Sequence, residues 1–409
     1  MRTLIALTGI ALTAGCVTEM GQPEDGLDDS DGKSDGADGC HDLKSGPFTP
    51  VALGHIFDGS EDFALDGRGA MVARRGNVVV RADGTGHVTS TIASLTGQTL
   101  GLRYHPNGNL IGAMVGAGKL VKVAPHGRVT DLVTGLNGPN GVYVDRDGNV
   151  WFTEGGGNRV TRLAPDGQRR TFASGSGAEG ANGVVVNEAT KRLYYTEYDK
   201  AHVHMVDLTA QNPSTVLVAQ IAGAGLDGLV LDACGNVYTL DQKRSRLYRV
   251  RIAANGKAAA EPELLATFPV NVANAQFGSG PGFDSKKLYV VGNPGSVFAL
   301  DLGVAGARVP TPAEPIECEH TFEMPGTGGE QMVELRGDFR FNAWAAGEPM
   351  TFDAATGTWS TTVALPSDTA IEYKFHFFVN GAEKWIFDPA NPNTQNGNSV
   401  VRVSCAPPN

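Results

Sequence analysis

Short apolar segments recur about every forty residues along the chain, and turns rich in glycine, asparagine and aspartate separate them. In the clearest copy, apolar residues 142–144 and 150–152 flank the turn Asp147-Gly148. Glycine and asparagine supply the positive φ angles that tight hairpins need. No segment keeps a helical period, which disfavours parallel βαβ units. The pattern therefore predicts β-strands joined by tight turns.

Six copies of this pattern follow one another, and a period of this length indicates one supersecondary unit per copy. A long all-β chain must protect the edges of its sheets, and radial repetition of small sheets does so. We therefore predict an all-β chain in which residues 49–310 form a six-bladed β-propeller. In such a fold the first strand of each blade lines a central channel.

The residue at the start of most copies is a small one that carries an oxygen, and equivalent residues would form a ring around the channel. The ring members are Glu61, Leu100, Asn140, Asn182 and Asp227, with Asn274 as the candidate for the sixth position. Two carboxylates about 6 Å apart at an effective dielectric of about 20 repel by roughly 3 kcal/mol, and a divalent cation would reverse that cost. Carboxylate and amide oxygens suit Ca²⁺, so the ring predicts a calcium-type site. The alternative is that these Asn-Gly and Asp-Gly pairs are ordinary turn dipeptides.

The first residues have the pattern of an export signal. Arg2 precedes an apolar segment that is too short to span a membrane, and small residues follow it. The ending Ala14-Gly15-Cys16 resembles a bacterial lipoprotein box. The resemblance implies that residues 1–16 are a signal peptide and that Cys16 carries the lipid. It also implies a membrane-anchored protein of a Gram-negative cell envelope, in the periplasm or at the surface, with an ordinary secreted protein as the alternative.

Residues 17–48 are rich in aspartate, glycine and serine and contain few apolar residues. Such a segment cannot bury enough surface to fold, so we predict a disordered acidic tether. The tether supplies much of the net charge of −11, and that charge therefore says little about ligands. An acidic chain without a basic stripe argues against nucleic-acid binding. We expect a monomer.

Four short motifs occupy the ring positions: Gly59-Ser60-Glu61-Asp62, Pro139-Asn140-Gly141, Ala181-Asn182-Gly183 and Leu226-Asp227-Gly228. In this order they resemble the calcium-dependent six-bladed lactonases, which include regucalcin, gluconolactonases and paraoxonases. The resemblance implies that Glu61, Asn182 and Asp227 bind a catalytic metal and that Asn140 binds either the metal or the substrate. Asp227 is also a candidate general base. The implied reaction is hydrolysis of a small lactone or ester, in which the metal polarises the carbonyl and a water is activated.

The sequence departs from this family at positions that select the substrate. Leu100 stands where paraoxonases carry a proton-accepting histidine, and Gly141 stands where they carry an aspartate for a second calcium. Gly138 and Pro139 replace the arginine that precedes the third-blade asparagine in sugar lactonases. The alternative function is therefore a non-catalytic envelope propeller that binds carbohydrate or protein. Residues 151–160 also resemble the streptogramin lyases, which usually have seven blades and use a metal and a histidine.

The composition changes after a proline-rich linker at residues 311–318. Residues 319–409 hold three of the four tryptophans and several segments of alternating apolar and polar residues. This pattern predicts a small β-sandwich of the immunoglobulin type.

Motifs in this segment include Gly337-Asp338-Phe339, Glu372-Tyr373-Lys374-Phe375, Val379-Asn380-Gly381 and Asp388-Pro389. They resemble the glycogen-binding early-set module of branching enzymes, isoamylases and the β subunit of AMP-activated kinase. The resemblance implies that Trp344 and Trp385 stack on the sugar rings of an α-glucan. Lys374 and Asn398 would bond the sugar hydroxyls. The alternative is a module that packs on the propeller and binds no glycan.

The five cysteines fall into three groups. The lipoprotein resemblance assigns Cys16 to lipid. Cys318 and Cys405 bracket the C-terminal module and suit a disulfide in an oxidising compartment. Cys40 and Cys234 remain, and the sequence leaves open whether they pair.

Overall fold

The computed structural model of the chain describes residues 40, 42–293 and 295–405, and nearly all of its regular structure is β-strand. The one helical element in these ranges is a 3₁₀ turn at Gly175–Gly177. Among the described residues, no helix has the length and apolar character needed to cross a bilayer. The predicted signal peptide, the lipidation site at Cys16 and most of the predicted tether lie outside the described residues.

Six antiparallel sheets of four strands each confirm the predicted six-bladed propeller. The first strand of the chain is β1 (Val51–His55). Blade 1 contains β2 (Ala64–Leu65), β3 (Met71–Arg75), β4 (Val78–Ala82) and β5 (Val88–Ser94). Blade 2 contains β6 (Thr99–Tyr104), β7 (Leu110–Met114), β8 (Lys119–Val123) and β9 (Val129–Val133). Blade 3 contains β10 (Pro139–Val144), β11 (Val150–Glu154), β12 (Arg159–Leu163) and β13 (Arg169–Ser174).

The other three blades complete the circle. Blade 4 contains β14 (Ala181–Asn187), β15 (Arg192–Glu197), β16 (His202–Asp207) and β17 (Thr215–Gln220). Blade 5 contains β18 (Leu226–Leu231), β19 (Val237–Asp241), β20 (Arg246–Val250) and β21 (Glu263–Thr267). Blade 6 contains β22 (Val272–Phe277), β23 (Lys287–Gly292) and β24 (Ser296–Asp301), together with β1.

The sixth blade joins the two ends of the propeller. Its strand order is β1-β24-β23-β22, so the first strand of the chain pairs antiparallel with the last strand of the propeller. On the channel side, Gln276 of β22 donates a hydrogen bond to the carbonyl of Phe63 in blade 1. Blade 6 is therefore completed at the rim by the N-terminal strand and held to blade 1 at the channel.

Glycines let the innermost strands of neighbouring blades touch. A Cβ added at Gly141 would lie 2.3 Å from the carbonyl oxygen of Asn182, and one added at Gly183 would lie 2.6 Å from that of Asp227. The hydroxyl of Thr196 accepts from Gly183 N at 2.8 Å and donates to the Asp227 carbonyl at 2.7 Å. These Asn-Gly pairs lie in β10 and β14, so the interpretation of them as turn dipeptides is wrong. Their glycines permit the close approach of the blades.

The segment before β1 packs on blades 5 and 6. Leu43 and Phe48 contact the apolar core between these blades, and Phe48 N donates to the Leu265 carbonyl at 2.6 Å. A disulfide joins Cys40 to Cys234, with 5.6 Å between their Cα atoms. The last residues of the predicted tether are therefore fixed to the propeller by two apolar side chains and a disulfide.

Two sheets form the C-terminal module, which begins with β25 (Glu317–Pro325) within the predicted linker. The next strands are β26 (Gln331–Gly337), β27 (Glu348–Pro349), β28 (Thr351–Asp353) and β29 (Thr358–Pro366). They are followed by β30 (Ala370–Val379), β31 (Ala382–Ile386), β32 (Thr394–Gln395) and β33 (Asn398–Arg402). The sheet orders are β25-β29-β28 and β27-β26-β30-β33-β32, with β31 beside β30.

The two sheets of the module share one apolar core, as expected for a β-sandwich. Phe322, Leu335 and Phe375 are among its buried residues. A disulfide joins Cys318 and Cys405. On the propeller side, Arg128 donates to the Ala370 carbonyl at 3.1 Å and connects the two parts of the chain.

Candidate functional site

The register between the first two strands of a blade decides which residues form the ring. In blades 3 to 5 the first residue of the innermost strand faces an acidic residue: Pro139 faces Glu154, Ala181 faces Glu197, and Leu226 faces Asp241. The residues that follow these three are Asn140, Asn182 and Asp227. Three predicted ring residues therefore lie at equivalent positions in three consecutive blades.

Blades 1 and 2 place their residues at the same level. Ser60 forms a β-bridge with Thr99, which is the first residue of β6. Glu61 and Leu100 therefore follow at equivalent positions.

The sixth position of the ring is an alanine. Val272 pairs with Gly292, so Ala273 is equivalent to the other ring residues and Asn274 lies one residue further. The side-chain oxygen of Asn274 accepts a hydrogen bond from Ala275 N at 3.0 Å. The expectation that Asn274 belongs to the ring is wrong, because the sequence repeat is offset by one residue in this blade.

The ring has an apolar and a polar part. Leu100 and Ala273 lie on either side of Glu61 in the order of the blades, and both are buried. The polar part comprises Asn140, Asn182 and Asp227. The channel mouth thus offers oxygen ligands over three adjacent blades and apolar side chains on both flanks of Glu61.

Asp227 is the buried carboxyl of the ring and is only 5% exposed. Burial is the main cause that raises its pKa well above the usual range, and the charges of Glu61 and Asp62 raise it further. A hydrogen bond from Asn182 opposes this shift. Burial also raises the pKa of Glu61. The ring therefore brings two carboxylates into a place where their charge is unfavourable.

The two amides of the ring have polar groups without protein partners. Asn182 is buried, and its Oδ1 accepts no hydrogen bond from any described residue. Asn140 is half-buried, and no described residue forms a hydrogen bond with its side chain. Because buried polar groups normally have partners, these amides are available to a ligand.

Asp62 is a third carboxylate close to the ring, and it is fully buried. Its Oδ2 lies 2.5 Å from a guanidinium nitrogen of Arg103 and accepts from Leu102 N at 2.9 Å. Its Oδ1 accepts from Phe63 N at 2.9 Å. Burial raises the pKa of Asp62 to about 6, although Arg103 opposes the shift. Both oxygens already have partners, so Asp62 contributes charge to the site and fastens blade 1 to blade 2.

Tyr198 is a residue near the site that sequence reasoning missed. Its hydroxyl donates to Gln242 Oε1 at 2.7 Å. Burial, followed by the negative charge of Asp227, raises its pKa to about 12, so the phenol stays protonated. Tyr198 directly follows β15 in the loop that leads to β16, where the repeat has no regular pattern. Only the packing of this loop beside blade 5 reveals its proximity to Asp227.

No family model matches the chain. Over 112 residues the sequence is 35% identical to an L-arabinolactonase from Azospirillum brasilense, and the match covers 27% of this chain and 35% of that protein. The chain thus spans about a third of the length of the curated relative that it matches.

Solved propellers match the structure over nearly their whole length. A gluconolactonase from Xanthomonas campestris has a TM-score of 0.52 at 19% identity, covering 64% of this chain and 96% of its own. A regucalcin from Agrobacterium tumefaciens, described as calcium-binding, has a TM-score of 0.52 at 17% identity, covering 66% and 100%. The chain thus shares its propeller fold with these two proteins. Its six blades also set it apart from the seven expected of streptogramin lyases.

In the C-terminal module, the residues predicted to contact sugar lie on the outer face of the larger sheet or beside it. Trp385 pairs with His376, and Lys374 lies two residues before His376 on the same face of β30. Arg336 pairs with Lys374 and donates to the Trp344 carbonyl at 3.1 Å. The guanidinium of Arg336 also lies 5.9 Å from the Trp385 ring centroid.

Asn398, the fourth predicted contact, is tied to the same face. Its Nδ2 donates to Glu372 Oε2 at 2.9 Å, and Glu372 precedes Lys374 by two residues on β30. Three aromatic side chains are exposed in this module: Trp344 at 37%, Trp385 at 43% and Phe387 at 47%. The structure thus places an ordered polar network beside exposed aromatic rings.

Proposed function

We propose that the protein hydrolyses a small lactone or related ester at the channel mouth of its propeller, with the help of a bound divalent cation. The observation that carries this proposal is that buried Asp227 lies close to Glu61 and Asn182 in one ring, and that Asn182 Oδ1 has no partner among the described residues. The partial likeness to an L-arabinolactonase and the fold shared with a gluconolactonase support the same chemistry.

The ring residues fit a hard cation such as Ca²⁺. Carboxylate and amide oxygens are its preferred protein ligands, and the polar part of the ring contains no sulfur or imidazole. A buried amide oxygen without a protein partner suits a metal ligand, and a cation would neutralise the two carboxylates whose charges oppose each other. Such an ion, held by Glu61, Asn140, Asn182 and Asp227, would polarise the ester carbonyl.

The side chains at and around the proposed ion site suit different steps of substrate binding and hydrolysis. Asp227 suits removal of a proton from the attacking water, because its carboxylate lies beside Glu61 and Asn182, which would hold the ion. Tyr198 keeps its proton, which it donates to Gln242, so its hydroxyl oxygen suits acceptance of a hydrogen bond from a substrate hydroxyl. Leu100 and Ala273 provide an apolar wall for the carbon skeleton.

A panel of sugar lactones and simple aliphatic γ- and δ-lactones tests the proposal, with acid release followed by a pH indicator. We expect turnover of at least one lactone that chelation stops and added Ca²⁺ restores. Turnover of none of these esters by the calcium-loaded protein would refute the proposal. Binding of a panel member without turnover would favour the competing function, a non-catalytic binding propeller, which the departures at Leu100 and Gly138 support.

We also propose that the C-terminal module binds an α-glucan through Trp344, Lys374, Trp385 and Asn398. Exposed flat rings beside fixed hydrogen-bonding groups suit a pyranose, which presents both C–H faces and hydroxyls. Migration of the full-length protein in native gels with and without glycogen tests this proposal. We expect retardation by glycogen, and equal mobility in the two gels would refute it.

Export and lipid attachment at Cys16 are a further proposal, and the sequence pattern at residues 1–16 is its only support. We expect membrane extraction of the protein from a Gram-negative host to require detergent. The Cys16→Ser variant should appear in the soluble envelope fraction, and unchanged fractionation of this variant would contradict lipid anchoring.

A further inference from the structure

Blade 4 carries a cluster of metal-binding side chains away from the ring. Glu197 ends β15, His202 begins β16, and His204 lies two residues later on the same face of that strand. Glu197 Oε2 lies 3.0 Å from His202 Nδ1 and 2.9 Å from His204 Nε2. All three of these atoms lie within 4.8 Å of one another.

The surrounding structure fixes two of the three side chains. Glu197 is almost fully buried, and its other carboxylate oxygen accepts from Glu179 N at 2.8 Å. The ring of His204 is buried and stacks on Tyr195, with 5.2 Å between centroids and 15° between planes. The side chain of His202 is 21% exposed. The cluster is therefore preorganised on its inner side and accessible to solvent on the side of His202.

Blade 4 differs from the two adjacent blades in the side chains that contact this carboxylate. A carboxylate at the end of the second strand holds the loop that leads to the ring in each of three blades, through the pairs Glu154 with Asn137 N, Glu197 with Glu179 N and Asp241 with Gly225 N. In blades 3 and 5 a guanidinium neutralises it, at 3.3 Å for Arg159 with Glu154 and 2.5 Å for Arg244 with Asp241. In blade 4 the residue that faces Glu197, at the position of Arg159, is His202.

Among the described residues, no lysine or arginine forms an ion pair with Glu197, whose partners are the two histidines. Lys200, in the same hairpin, pairs with Glu179 at 2.7 Å. Blade 4 therefore has the same strand geometry as its neighbours, with two imidazole nitrogens where they have a guanidinium.

We propose that Glu197, His202 and His204 bind a divalent transition-metal ion, and that Zn²⁺ is the best match. One carboxylate and two imidazoles form a known zinc ligand set, and the partly exposed side leaves room for water as a further ligand. The ion would supply the positive charge that arginine provides in the neighbouring blades. It would also join the β15–β16 hairpin to the loop that leads into Asn182. This site is separate from the ring and does not depend on the proposed hydrolase activity.

Metal uptake can be measured with the ring disabled, so that this site and the proposed function succeed or fail independently. The background is the full-length Glu61→Gln/Asp227→Asn variant, stripped by chelation and then loaded with Zn²⁺ or Co²⁺. We expect one equivalent of Zn²⁺ by titration calorimetry and mass spectrometry of metals. Co²⁺ should give the intense visible bands of a low-coordinate site. Absence of tight uptake in a background that retains its fold would overturn the proposal.

Removal of a ligand distinguishes this cluster from any other site. His202→Gln changes the most exposed ligand and should leave the fold intact, while Zn²⁺ affinity falls more than about tenfold, because loss of a direct ligand exceeds typical losses of supporting groups. The visible Co²⁺ bands should also fade. His55→Gln is the matched control, because His55 is exposed on β1 and no described residue bonds its side chain. Equal Zn²⁺ affinity and equal Co²⁺ spectra in the two variants would refute the assignment.

Discussion

The channel mouth and the outer face of the sandwich differ in the groups that surround their carboxylates. In the ring, burial and the charge of Glu61 raise the pKa of Asp227, and Asn182 Oδ1 has no described partner. On the sandwich, Glu372 accepts hydrogen bonds from Asn396 and Asn398, both at 2.9 Å. The difference indicates the kind of ligand each surface suits. Two carboxylates that lie close together suit a cation, whereas a carboxylate with both oxygens hydrogen-bonded, beside exposed aromatic rings, suits an uncharged sugar.

Asp227→Asn is expected to have the largest effect. It removes both a ligand charge and the candidate base, so kcat/KM for the best lactone should fall at least about 100-fold. Calcium content, measured on the same samples, should fall with it. Asp147→Asn is the control, because Asp147 lies exposed in a blade 3 turn. Full activity in Asp227→Asn would remove the ring from the catalytic site.

Trp385→Ala should separate the two surfaces. We expect glycogen affinity to fall roughly tenfold or more, since the ring supplies stacking area that alanine lacks. Lactone turnover should not change. Trp359→Phe serves as the control for changes in the module's aromatic residues, because Trp359 packs against the core rather than the outer face. Parallel losses of glycogen affinity in both variants would indicate general damage to the module.

The pH dependence of stability tests the charge at the ring without any substrate. The pKa of Asp227 is raised in the folded protein, so its contribution to stability is fully present below the unfolded pKa of about 3.9 and is lost as pH rises through the folded pKa. In calcium-free protein, Asp227→Asn should therefore raise the Tm increasingly as the pH rises. A gain of about 2–4 °C corresponds to 1 kcal/mol in a domain of 150–250 residues. Added Ca²⁺ should reverse the order of the two proteins, and a Tm difference independent of both pH and Ca²⁺ would contradict this account.

Arg128→Ala should have the smallest effect. Arg128 lies 3.4 Å from both Asp338 and Glu372 and is partly exposed, so solvent screens these pairs. We expect a loss of at most about 1 kcal/mol from the ion pairs, seen as a small decrease in the Tm of the sandwich. Lactone turnover should be unaffected. A large loss of turnover would mean that the sandwich controls the channel.

The repeat predicted the fold because each copy combines alternation with turn residues, and six copies leave few other all-β arrangements. Five ring positions were predictable for the same reason, since the first residues of the repeats share a register. Asn274 failed because a shift of one residue in blade 6 moves the side chain out of the ring, and spacing alone does not resolve that shift. Tyr198 and the pairing of Glu197 with His202 and His204 were not predictable from the repeat, because loop packing and cross-strand contacts create them. The tether ends earlier than predicted because a disulfide joins Cys40 to Cys234. These residues are 194 positions apart, so local composition does not reveal the contact.

The pairing of β1 with β24 sets the order in which the protein can acquire its fold. Val51 pairs with Ala299, so the strand synthesised first must wait until almost the entire propeller has been made. Contacts of such sequence separation form slowly, and until then β24 presents an open edge. A chain that crosses a membrane from its N-terminus would therefore complete its circle only after the sixth blade has crossed. During that interval the open edge can also accept β1 from a second copy, which gives strand-exchanged dimers at high concentration.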